Sequence, residues 1–215
     1  MAKDEAGDQA ARRITLLGGL VNLVLIVVKA VGGLVYGSVA LLADALHSLT
    51  DLVSDMVVYV AVRLGSAEAD DNHPYGHRRF ETIASLAVGL LVLATGLGLI
   101  LETARRLQTQ DWMTPGTPAI AVAALAVLSK EALYHATVRV ANRHSRPILR
   151  ANAVHHRTDA LSSVAVLVGL GASMAGLSSG DLLAALVVGL LFLHGGWGSR
   201  AEALRERSEA RGDDA

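Results

Sequence analysis

Six apolar runs, each long enough to cross a bilayer, constrain this chain more than anything else in it. They extend from about Ile14 to Tyr36, Val39 to Leu64, Phe80 to Leu107, Pro118 to Val140, Ile148 to Gly176 and Leu182 to Trp197. A hydrocarbon core of ~30 Å needs about 20 apolar residues per helix, and backbone polar groups inside it must be satisfied within the protein. The expected fold is therefore an all-α membrane protein of six transmembrane helices. Apolar residues make up 52% of the chain, and six spanning runs exclude a soluble helical bundle. The start is polar and of mixed charge, and the first run exceeds a signal-peptide core, so no cleaved targeting segment is expected.

Three segments follow from these runs: a polar N-terminal stretch, 1–13, expected to fray; the six-helix domain, 14–197; and a short charged tail, 198–215, without an apolar period to build a core. Orientation follows from Lys and Arg in the connectors. With six spans, one side carries fourteen and the other only Arg105 and Arg106, which places both termini in the cytoplasm. The expected location is the cell (inner or plasma) membrane, crossed several times. A net charge of -1 gives no nucleic-acid signature.

The second run carries Asp44, His47, Asp51 and Asp55. At about 100° per residue these four fall within an arc of roughly 80°, one polar stripe on a Leu/Val/Ala helix. A carboxylate at membrane depth costs at least about 2.5 kcal/mol on insertion scales, so the stripe must face partners, water or a bound cation. The fifth run carries His155 and Asp159. By helical rise, His47 and Asp51 lie roughly 12–20 Å below the outer surface, and His155 and Asp159 roughly 10–17 Å above the inner one. Two His-x-x-x-Asp pairs thus meet near the midplane. They supply two imidazoles and two carboxylates, a set suited to tetrahedral Zn²⁺ and poorly suited to Ca²⁺ or Mg²⁺. Co²⁺, Cd²⁺, Ni²⁺, Mn²⁺ and Fe²⁺ can occupy similar ligands. The competing reading is an interhelical His–Asp hydrogen-bond network without metal.

Other intramembrane charges need roles as well. Lys29 in the first run faces the interior or snorkels, and one of Lys130 and Glu131 in the fourth neutralises a neighbouring helix. Asp44 and Asp55, on the outer and inner sides of the pairs, are either access carboxylates for an ion or charge partners of Lys29, Lys130 or Arg157. In the connector between the second and third runs, Asp70, His73 and His77 form Asp-x-x-His-x-x-x-His, three ligands in eight residues, with Asp71 as an alternative. That loop site suits capture or regulation better than transport. The chain has no cysteine, hence no thiolate site or disulfide.

Leu34 to Asp55, with Gly37-Ser38-Val39-Ala40-Leu41-Leu42-Ala43-Asp44-Ala45-Leu46-His47-Ser48-Leu49-Thr50-Asp51, resembles the first half of the cation diffusion facilitator family. Asp71-Asn72-His73-Pro74-Tyr75-Gly76-His77 is similar to that family's cytoplasmic loop, and His155-His156-Arg157-Thr158-Asp159-Ala160-Leu161-Ser162-Ser163 to its fifth-helix motif. The resemblance covers essentially all six runs. It implies a proton-coupled exporter of divalent transition metals, usually a homodimer, with His47, Asp51, His155 and Asp159 as the transport site. It also implies Asp70, His73 and His77 as the loop metal site, and its His-Asp/His-Asp combination is similar to that of zinc-selective members. The family commonly continues into a soluble metal-binding domain. Here the chain ends about 18 residues after Trp197, so dimerisation is expected to rest on the membrane helices, with the loop metal as a second contact.

The mechanism to expect is alternating access. Metal binding expels protons from its ligands, and protons from the more acidic side displace the metal. No Gly-x-x-x-x-Gly-Lys-Ser/Thr motif is present to hold ATP. A membrane metalloenzyme would need an open coordination position and a base, and His-Glu-x-x-His is absent. The chain is therefore read as no enzyme. A non-transporting sensor or partner subunit with the same metal site is the remaining rival.

Overall fold

The computed structural model describes residues 2–65, 79–110, 114–144 and 147–194. All regular structure in them is helical: α1 (Ala2–Tyr36), α2 (Val39–Gly65), α3 (Arg79–Thr109), α4 (Pro118–His144), α5 (Pro147–Met174) and the shorter α6 (Gly180–His194). These six correspond to the six apolar runs.

Among the described residues three segments are both long and apolar enough to cross a membrane: Gln9–Tyr36, Leu86–Thr109 and Pro118–His144. Helices α2 and α5 have the length as well, 27 and 28 residues, and carry the polar stripe and the His-rich motif. Large apolar side chains face outward along α1, among them Leu16, Leu20, Val27 and Leu34, as expected of a helix solvated by lipid rather than water.

One boundary differs from the sequence expectation. Instead of a frayed stretch before Ile14, α1 begins at Ala2. Apart from Asp4, Asp8 and a single Gly, residues 2–13 are Ala, Lys, Glu, Gln and Arg, with no Pro. These are strong helix formers, and extending an existing helix avoids the cost of nucleation. The tail 198–215 lies outside the described residues.

The turns have local causes. α1 ends where Gly37 adopts φ 70°, and Ser38 N–H donates to Gly33 O at 3.0 Å, a Schellman stop that the missing Cβ permits. α5 ends the same way, with Gly176 at φ 105° and Leu177 N–H on Ala172 O at 3.0 Å. Pro118 opens α4 at the position where its lacking N–H is not needed.

By contacts the chain divides into two compact units, Met1–Ser48 with Thr103–Val188, and Leu49–Glu102 with Gly189–Ala215. In the first, α4 packs against both α5 and α1. The contact of α5 with α6 is close: a Cβ on Gly169 would stand 2.7 Å from Gly180 O. Within the second, α3 meets the end of α6 where Gly96 faces Phe192 and Gly189.

Candidate metal site

The first turn of α2 is fixed before its polar stripe begins. Ser38 caps the helix, its Oγ accepting from Leu41 N–H at 3.0 Å. Asp181, from the first turn of α6, completes the cap. Its carboxylate accepts from Ser38 Oγ–H at 2.6 Å, Val39 N–H at 2.7 Å and Ala40 N–H at 3.3 Å. An acidic group on the N-terminal N–H groups satisfies orphan donors and complements the helix dipole. Sequence reasoning did not single out Asp181, because an Asp just before an apolar run reads as a cap of its own helix.

Asp44 is the first member of the stripe. It is 1% exposed, and its Oδ1 accepts from Ser162 Oγ–H at 3.0 Å. Its Oδ2 accepts from Ser163 Oγ–H at 2.8 Å and pairs with Lys29 Nζ at 3.1 Å. Lys29, with no exposed surface, donates in addition to Asp44 O at 3.0 Å and Ser48 Oγ at 2.6 Å. Of the two roles open to Asp44, the charge-partner role is the one the geometry supports, and Lys29 is the partner. Lys29 therefore faces the interior rather than snorkelling.

His47 is half-buried one turn further on, and it reaches α5. A ring nitrogen of His47 and a carboxylate oxygen of Asp159 lie within 4.8 Å of each other. Asp51 stands four residues after His47 on the continuous helix α2, so the helical repeat presents both on one side of it. Asp159 is 4% exposed. His155, one turn before it on α5, brings Nε2 to 3.8 Å from Asp159 Oδ2 and keeps 44% of its side chain exposed. The neighbouring His156 turns the other way and is buried. Its Nε2 lies 3.4 Å from Asn152 Nδ2 and faces Gly18 of α1. The two adjacent histidines are thus separated by the 100° step of the helix into one beside the carboxylate and one packed against α1.

Asp159 has one further neighbour. Lys130 of α4, 1% exposed, donates to Asp159 Oδ2 at 2.8 Å and approaches Ser48 Oγ at 3.5 Å. Of Lys130 and Glu131 it is the lysine that neutralises another helix. Glu131 instead pairs along its own helix with His135 at 3.2 Å. Arg157 donates to Tyr134 Oη at 3.2 Å and lies 4.8 Å from that ring's centroid, so it is not the partner of Asp44. The loop residues Asp70, His73 and His77 lie outside the described residues.

His47 of α2 comes close to Asp159 of α5, with His155 and a buried lysine beside the same carboxylate, and helices long and apolar enough to cross a membrane run through the chain. Together these give the class, a helical membrane protein with imidazole and carboxylate donors that could hold a cation. Residues 15–206 match the family model described as the cation efflux transmembrane domain. The chain belongs to this cation efflux family, the cation diffusion facilitators, whose members are transporters and not enzymes. It is 34% identical to "Metal tolerance protein 2" of Oryza sativa subsp. japonica, over 98% of this chain and 61% of that protein. It is 35% identical to "Mitochondrial metal transporter 2" of Saccharomyces cerevisiae, over 86% of this chain and 44% of that one. It is 36% identical to "Magnetosome protein MamB" of a Magnetospira species, over 76% of this chain and 56% of the relative. The chain thus spans 44% to 61% of the length of these relatives.

Proposed function

We propose that this chain exports divalent transition-metal cations, with Zn²⁺ the favoured cargo, in exchange for protons. The observation that carries the reading is the approach of His47 on α2 to Asp159 on α5, within 4.8 Å, with His155 at 3.8 Å from the same carboxylate. Asp51, one turn from His47, supplies the fourth ligand. Imidazole and carboxylate donors in a set of four suit tetrahedral Zn²⁺. They must be deprotonated to bind it, so loading releases protons and protons arriving from the opposite side unload it. Helices α2 and α5 then expose the site alternately to the two faces.

Names of relatives support a metal as the cargo: two of them are a metal tolerance protein and a metal transporter. A homodimer held through the membrane helices, a second ion on Asp70, His73 and His77, cytoplasmic termini and residence in the cell membrane complete the proposal.

The experiment is Zn²⁺ flux into proteoliposomes carrying an imposed pH gradient, with Asp159→Ala as control. Flux that follows the gradient and disappears in the variant is expected. Zn²⁺ binding with no flux overturns the transport reading, and undiminished flux in Asp159→Ala overturns the assigned site.

A further inference from the structure

The first compact unit buries two lysines, each against a carboxylate, and the two pairs are built differently. Lys29 is saturated: three acceptors lie within 3.1 Å of Nζ, and its partner Asp44 holds two serine hydroxyls besides. Among the described residues each of the three ammonium protons of Lys29 thus has an acceptor, and Asp44 holds three donors. Lys130, among the described residues, has one short bond, 2.8 Å to Asp159 Oδ2. Its second contact among the described residues is long, Ser48 Oγ at 3.5 Å, an oxygen that takes Lys29 at 2.6 Å on one lone pair and has a second one to offer. Among the described residues the Asp159 carboxylate receives no side-chain hydroxyl: the one proton of the nearby Ser162 Oγ–H is shared between the Asp159 backbone carbonyl at 2.8 Å and Asp44 Oδ1 at 3.0 Å.

The weakly tethered lysine is therefore the one on the proposed ligand. A metal–carboxylate bond is ~2.0–2.2 Å long. An ammonium 2.8 Å from the same oxygen would then lie within about 5 Å of a dication, where like charges in a partly dehydrated site repel strongly. Cation and ammonium compete for one carboxylate. Lysine suits such a role, being a point charge on a flexible four-carbon stem, and Ser48 marks where its head can withdraw.

We propose that Lys130 is the resident cation of the empty site: it occupies Asp159 in the absence of cargo, and the incoming metal displaces it toward Ser48. The exchange keeps the buried carboxylate charge-balanced in both states. It also sets the affinity of the site low enough for the cargo to leave. This rests on the reading of Asp159 as a transport ligand.

The test is calorimetric Zn²⁺ titration of the full chain in detergent, with His73 and His77 replaced by Ala so that the loop imidazoles do not report. Lys130→Met is expected to bind Zn²⁺ at least about tenfold more tightly, one such factor being 1.4 kcal/mol of removed competition. A purely structural lysine would give weaker binding on removal. Lys130→Gln, which keeps a donor toward Asp159, is the second variant and moves the same way. Unchanged or weaker binding in whichever variant folds overturns the inference. Asp159→Asn separates the two levels. If it abolishes Zn²⁺ binding while the Lys130 variants bind no tighter, the site stands and the resident-cation role falls. If it leaves binding intact, the site falls and the role with it.

Discussion

Replacing Lys29 by Met tests the Lys29–Asp44 pair directly. The change keeps most of the stem's volume and removes the ammonium, leaving Asp44 buried with, among the described residues, Ser162 and Ser163 to hold it. At the observed 3.1 Å, an effective dielectric of ~20 gives about 5 kcal/mol of Coulomb attraction. Breaking one side of a buried pair typically costs about 3–5 kcal/mol, because the abandoned charge stays desolvated. Lys29→Met is therefore expected to destabilise the chain by about that amount. Lys29→Met with Asp44→Asn, which removes both charges and retains groups for the serines, should recover at least about 2 kcal/mol of it, since neutral replacement of a whole pair is often tolerated. The assay is a double-mutant cycle on reversible unfolding in mixed micelles. Independent, additive losses for the two substitutions would refute the ion pair as the organising contact. A neutral Lys29→Met would refute the burial argument altogether.

Two further outcomes are specific. Asp181→Asn keeps an acceptor for Ser38 but removes the charge from the start of α2, and should lower stability by about 1–2 kcal/mol; hydrogen exchange of the Val39 and Ala40 amides should quicken, and unchanged exchange would argue against the cap. His47→Asp replaces an imidazole by a harder oxygen donor and should relax discrimination between Zn²⁺ and Cd²⁺ in flux measurements; unaltered selectivity would show that His47 does not set it.

Residue pattern revealed the helices and the face on which the chemistry lies, but not the partners. The spacing of Asp44, His47 and Asp51 placed them on one stripe, yet two roles remained open for Asp44. Periodicity along one helix carries no information about which neighbour it meets. Lys29 and Lys130 were visible as cations that had to be neutralised in a membrane. That Lys29 closes on Asp44 while Lys130 stops at Asp159 depends on how α1 and α4 sit against α2 and α5, which packing decides. His155 and His156 were indistinguishable by residue type; only the i,i+4 relation to Asp159 favoured His155, and the structure places it there. Asp181 acts on a helix more than a hundred residues away in sequence, a relation no local pattern can contain. The early start of α1 was the opposite failure: its polar residues suggested fraying, while their helix propensity was the better guide.

Ser48 joins the two ion pairs, and it offers a test that neither lysine provides alone. Its Oγ accepts from Lys29 at 2.6 Å and lies 3.5 Å from Lys130. Ser48→Ala removes one of Lys29's three acceptors, a loss of about 1–2 kcal/mol for a buried charge-assisted bond. It also removes the place toward which Lys130 withdraws. Without that oxygen the displaced ammonium loses a partner, so Zn²⁺ should bind several-fold more weakly although Ser48 is no ligand. The same substitution made on Lys130→Met should leave affinity unchanged, because no ammonium remains to be displaced. Titrating the four proteins of this cycle separates the two effects. A stability loss with no change in affinity would mean that Ser48 serves Lys29 alone. Equal weakening with and without Lys130 would mean that Ser48 shapes the site by packing, not by receiving the lysine.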